Sequence, residues 1–95
     1  MRKQEIIHEI EECIINRQYA QGRRLAEQAI VQMPKAPVFY NLMGVLLEKE
    51  YHHVQAVNYF RNAYELNPAY EPARYNLERY GIFYPISNCM YSNDE

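Results

Sequence analysis

Proline and small residues return at a fixed interval of 34 positions in this 95-residue chain: Pro34 and Pro68, Ala29 and Ala63, Gly22 and Ala56. Apolar side chains fill each interval at helical spacing, so the recurring unit is a pair of helices. From Lys3 to Asn16, the residues Ile6, Ile10, Cys13 and Ile14 share one stripe, which Ile7 and Ile15 widen, while Glu5, Glu9, Glu12 and Asn16 face elsewhere. A turn through Asn16, Arg17 and Gln18 leads to a second helix, about Tyr19 to Met33, with Gly22, Leu25, Ala26, Ala29 and Ile30 on its buried side. The third helix, Val38 to Lys49, is apolar on nearly every side, which places it between neighbours. The chain turns again near Glu50 to His53, and a fourth helix runs up to Pro68. Beyond it, Ala73, Leu77 and Tyr80 share the face of a last, shorter helix, with Glu71, Arg74 and Glu78 pointing away.

The prolines set the joints. Proline has no amide proton and disfavours a helical residue before it, so Pro34 and Pro68 each stop a helix. Pro37 and Pro72 stand where the next helix starts, a place proline tolerates well. The links MPKAP and NPAYEP are therefore short and stiff, as stacked hairpins require.

Within the second interval, Tyr40, Met43, Gly44, Leu47, Ala56, Phe60, Ala63 and Pro68 follow the spacing W-x2-L-G-x2-Y…A-x3-F…P. The stretch from Pro37 to Pro68 resembles a tetratricopeptide repeat, with Tyr, Met and Leu replacing the first Trp, the Leu and the Tyr of the pattern. The preceding copy keeps Gly22, Ala29 and Pro34, but Glu9-Ile10 stand where Met43-Gly44 stand, and Ala26 replaces Phe60. The third copy supplies a first helix only, since Glu78 takes the glycine's place and Pro85 comes early; it reads as a solvating cap. The resemblance implies an all-α, antiparallel helix-pair solenoid of about five helices over residues 1–81. Its repeats lie near 3–36, 37–70 and a partial 71–81, and the tail, 82–95, is expected to be partly mobile, its apolar part folding back along a helix groove or lying against a neighbouring chain. Gly44, Ala56 and Ala63 are the expected points of close helix approach. Glycine inside a helix costs about 1 kcal/mol against alanine, which Gly44 must offset by packing.

Composition narrows the function classes. At 48% hydrophobic and 23% charged, this is a globular chain, and a net charge of −2 gives no electrostatic reason for a nucleic-acid or membrane partner. No apolar run is long enough to span a bilayer, and the glutamates after MRKQ break any leader-like core. Two distant cysteines, Cys13 and Cys89, are not a disulfide framework, and a cytoplasmic location is the default.

Catalytic and metal chemistry find little to work with. His52 and His53 are adjacent, whereas helical metal pairs need a spacing of three or four residues. One reads as a turn histidine and the other as packing against the second helix. Cys13 lies on the apolar stripe as a small buried hydrophobe, and no close basic neighbour activates Cys89. Glu9, Glu11 and Glu12 read as a solvated face. A metal or redox protein built from His8, Cys13, His52, His53 and Cys89 is the remote alternative. No cofactor and no enzyme activity are expected.

Repeats of this family bind peptides or extended segments of other proteins in a concave groove lined by their first helices. Carried over by position, the resemblance implies a groove formed by Ile7, Glu11 and Ile14, then Asn41, Val45 and Glu48, then Tyr75, Asn76 and Arg79. A subgroup clamps a terminal carboxylate with Lys and Asn; Ile7 and Glu11 occupy those places here and argue against such a clamp. The expected function is a non-catalytic protein-interaction module. A self-associating homodimeric scaffold is the alternative, because two and a half repeats leave helix faces uncovered. Ten tyrosines with no tryptophan, five of them (Tyr70, Tyr75, Tyr80, Tyr84 and Tyr91) crowding the C-terminal third, suit either interface.

Overall fold

The interval of the sequence is also an interval of structure. The computed structural model describes residues 2–80, Tyr80 by its backbone alone. It contains helices α1 (Lys3–Ile15), α2 (Tyr19–Gln32), α3 (Pro37–Lys49), α4 (His53–Leu66) and α5 (Glu71–Tyr80), and no strand among the described residues. Both ends of α3 fall 34 residues after those of α1, both ends of α4 fall 34 after those of α2, and α5 begins 34 after α3. The tail from 82 onward lies outside the described residues, as does Gly81.

The hairpin turns repeat bond by bond. After α1, Arg17 enters the left-handed region (φ 61°); its amide donates to the Ile14 carbonyl, and the Gln18 amide donates to the Cys13 carbonyl at 2.8 Å. After α3, Tyr51 (φ 66°) donates to Glu48, and His52 donates to Leu47 at 2.8 Å. Each is a Schellman closure, in which the last carbonyls of a helix are satisfied by amides folded back over its end. Neither turn uses glycine, although side chains disfavour this conformation. At the other joints, Met33 and Asn67, the residues before Pro34 and Pro68, have left the helix with ψ of 68° and 96°. That is the restriction a following proline imposes.

The helix expected to be buried on nearly every side is so. Val38, Phe39, Asn41, Leu42, Met43, Gly44, Val45, Leu46 and Leu47 of α3 are all buried. Gly44 permits the closest approach: a β-carbon there would stand 2.4 Å from the Phe60 ring. Gly22 does the same for the next contact, where a β-carbon would lie 2.8 Å from a Leu46 methyl. Tyr40 ties α3 to the preceding joint by donating to the Pro34 carbonyl at 2.8 Å. Two sequence expectations need correction. Ile15, assigned to the apolar stripe, is 69% exposed, because it lies on the side of α1 that carries the exposed His8 and Glu12, at spacings of seven and three. Glu11, assigned to a solvated face with Glu9 and Glu12, is buried at 9% exposure, since it lies on the same stripe as Ile7 and Ile14 at spacings of four and three.

The helices form two layers. α1, α3 and α5 touch in succession, and α2 and α4 sit behind them, each wedged between consecutive first helices; α2 and α4 do not touch each other. A stack whose inner elements meet while its outer ones splay is curved, with its hollow on the side of α1, α3 and α5.

Candidate functional site

Each of the three inner helices contributes one stripe to the hollow. On α3, Gly44 faces Phe60 of α4 and Leu46 faces Gly22 of α2. Asn41 and Val45, four apart, share a stripe that continues to Glu48, whose carboxylate meets His53 of α4. Ile7, Glu11 and Ile14 form the matching stripe on α1, and Tyr75, Asn76 and Arg79 lie on α5.

The structure divides these nine residues into a floor and a rim. Ile7, Glu11, Ile14, Asn41, Val45 and Asn76 are buried. Within the floor, the Asn76 amide donates to Asn41 Oδ1 at 2.9 Å, a hydrogen bond between two fully buried side chains that joins α5 to α3. Buried amides kept together this way fix the angle between successive repeats, because leaving either one unpaired costs about 1–3 kcal/mol. Glu11 also lies within 3.7 Å of His8 Nδ1 at the floor's edge. The rim is Tyr75, Arg79 and Glu48. The Arg79 guanidinium lies 5.1 Å above the Tyr75 ring, a cation–π pair that holds both side chains in one orientation. Arg79 Nε, shielded from solvent, finds no acceptor among the described residues. The Glu48 carboxylate accepts from His53 Nδ1 at 2.9 Å, which ties the start of α4 back to α3. His52 is the exposed turn residue.

A second depression lies on the outer side. It opens between α2 and α4 over Met43 and Leu47 of α3, with Arg23, Glu27, Gln55, Asn58 and Tyr59 around it and a volume of about 390 Å³. Beside it, Arg23 forms a forked ion pair with Glu50, Nε to Oε1 at 2.7 Å and Nη2 to Oε2 at 3.3 Å. The pair links the second helix of one hairpin to the turn of the next. Sequence reasoning missed it, and an Arg and a Glu 27 residues apart carry no local signal that they meet.

Burial pushes the Cys13 thiol above its ordinary range, and the carboxylates of Glu9 and Glu12 add to the effect; it is a free, protonated and poorly nucleophilic group. No three His, Cys, Asp or Glu side chains converge in a way that could hold a metal ion among the described residues. No helix among them is long and apolar enough to cross a membrane. Cys89 lies outside the described residues. Comparison of the chain with protein-family models, curated proteins and solved structures gives no match.

Proposed function

We propose that this chain is a non-catalytic interaction module whose inner layer receives a peptide or extended segment of another protein. The observation that supports the reading is the two-layer packing: α1, α3 and α5 pack in succession, and α2 and α4 lie behind them. The resemblance to tetratricopeptide repeats assigns the same face to partner binding. The rim supports it chemically, since a stacked Tyr75–Arg79 pair offers apolar area, a hydroxyl and a fixed cation at low entropic cost. Cytoplasmic residence belongs with this reading, since two cysteines far apart in the sequence are not a disulfide framework.

The test compares affinity capture by the full chain with capture by two double variants. Tyr75→Ala with Arg79→Glu alters the rim; Gln55→Ala with Asn58→Arg alters the outer depression. The rim variant is expected to lose the captured protein while keeping its helical signal and melting temperature, and the outer variant to retain it. Retention by the rim variant, or loss by the outer one, contradicts the proposal. Homodimerisation is the second reading, favoured by Tyr51 and Val54, 90% and 73% exposed beside each other at the α3–α4 turn. Light scattering that gives a monomer mass at high concentration removes it.

A further inference from the structure

The outer depression joins an apolar floor to a charge that nothing nearby neutralises. Met43 and Leu47, one turn apart on α3, make the floor, and Tyr59 of α4 adds an aromatic wall. Gln55 and Asn58 of α4 and Glu27 of α2 bring polar groups to the same space of about 390 Å³. Two arginines lie within a turn of Glu27 along α2, and both are committed elsewhere. Arg23 is neutralised by its forked pair with Glu50. Arg24 donates from Nη2 to Gln21 Oε1 at 2.8 Å. Among the described residues the Glu27 carboxylate has neither an ion pair nor a hydrogen-bond partner. The charges of Arg23 and Glu50 cancel, so the depression carries one uncompensated negative charge beside its apolar floor.

We propose that this depression binds a free aliphatic primary amine, its ammonium on Glu27 and its carbon chain along Met43, Leu47 and Tyr59. An alkylammonium presents three N–H donors, and the Glu27 carboxylate with the amide oxygens of Gln55 and Asn58 supplies acceptors for them. The methylenes would leave water for the apolar floor. An anion is disfavoured, because it would meet Glu27 while Arg23 is already engaged. The volume lies in the range of small-molecule sites, roughly 300–1,000 Å³. The stem of a partner's lysine, tied to a backbone that stays outside, fills only part of that space. The assignment is independent of the interaction reading, since the depression belongs to the outer layer and the hollow to the inner one.

The test titrates n-hexylamine into the full, isotope-labelled chain and follows the methyl signals of Met43 and Leu47 and the ring signals of Tyr59. Saturable shifts at all three residues are expected, with a Kd in the millimolar range. Hexanol, which has the same chain without the charge, is expected to bind at least tenfold more weakly. Added salt should weaken the amine and leave the alcohol unchanged. Glu27→Gln should bring the amine down to the alcohol's affinity; Glu27 is exposed, so the substitution leaves the core intact. Glu65→Gln removes the same charge from an exposed position off the lining and should change nothing. Absence of saturable shifts at Met43 and Leu47, equal binding of amine and alcohol, or equal losses in the two variants overturns the proposal. So does binding of Nα-acetyllysine amide as tight as that of hexylamine, which would give the site to a lysine side chain of another protein.

Discussion

The two complete hairpins share one backbone and fill it in opposite ways. In the second, α3 supplies glycine at 44 and α4 supplies the ring of Phe60, whose edge leaves no room for a β-carbon opposite it. In the first, the equivalent positions are Ile10 on α1 and Ala26 on α2, both fully buried in the same core. Bulk has moved from the second helix to the first, and the space between them is filled either way. What looks in the sequence like drift away from the repeat pattern is therefore a reciprocal exchange of size. Cores tolerate such exchanges when total volume is kept. The lesson is that the repeat is held by the volume of a pair and not by the identity of either residue.

The largest effect should come from breaking one side of that exchange. Phe60→Ala is expected to cost about 3–5 kcal/mol by leaving a cavity beside Gly44, and Gly44→Ile to cost about 3 kcal/mol or more by overpacking against the ring. The double variant, Gly44→Ile with Phe60→Ala, rebuilds the first hairpin's solution inside the second. Chemical denaturation should show it more stable than the sum of the single losses by at least about 1 kcal/mol, the coupling expected of touching residues. Simple additivity would mean the two hairpins do not share a packing rule.

Smaller effects sharpen the comparison. Asn41→Ala should cost about 1 kcal/mol, because it removes a hydrogen bond between two buried side chains of α3 and α5, and in denaturant titration it should loosen α5 before α1. Arg23→Ala removes the forked pair with Glu50, which joins the two hairpins and is partly solvated. The loss should be about 0.5–1 kcal/mol and should shrink as salt is raised. Smallest of all, Arg17→Gly and Tyr51→Gly relieve the left-handed residue at equivalent turns. Each should raise stability by about 0.5–1 kcal/mol, and by similar amounts, if the turns are as alike as their hydrogen bonds.

How legible this was in the sequence follows from the range of the forces involved. Helix positions were read to within a residue or two, because periodicity and proline act locally: the third helix was expected from Val38 to Lys49 and runs Pro37–Lys49. Gly44 announced its own packing, since a glycine in a strong helix needs a reason. Ile15 misled because its apolar side chain counted for more than its place on the exposed face of His8 and Glu12. Glu11 misled because its charge outweighed its position in the reading, whereas in the fold its place between Ile7 and Ile14 decides its burial. The Arg23–Glu50 pair and the Asn41–Asn76 bond depend on how hairpins dock, and a sequence read one helix at a time has no term for that.

Successive hairpins nest with their first helices inward and their second helices apart. Nuclear Overhauser contacts in the full chain test it most directly. The Gly44 α-protons should show strong contacts to the Phe60 ring, and the Gly22 α-protons to the Leu46 methyls, with no contact between Glu27 on α2 and Asn58 on α4. Contacts between α2 and α4 side chains, together with loss of the Gly22–Leu46 contact, would contradict the nesting and with it the hollow on which the proposed function rests.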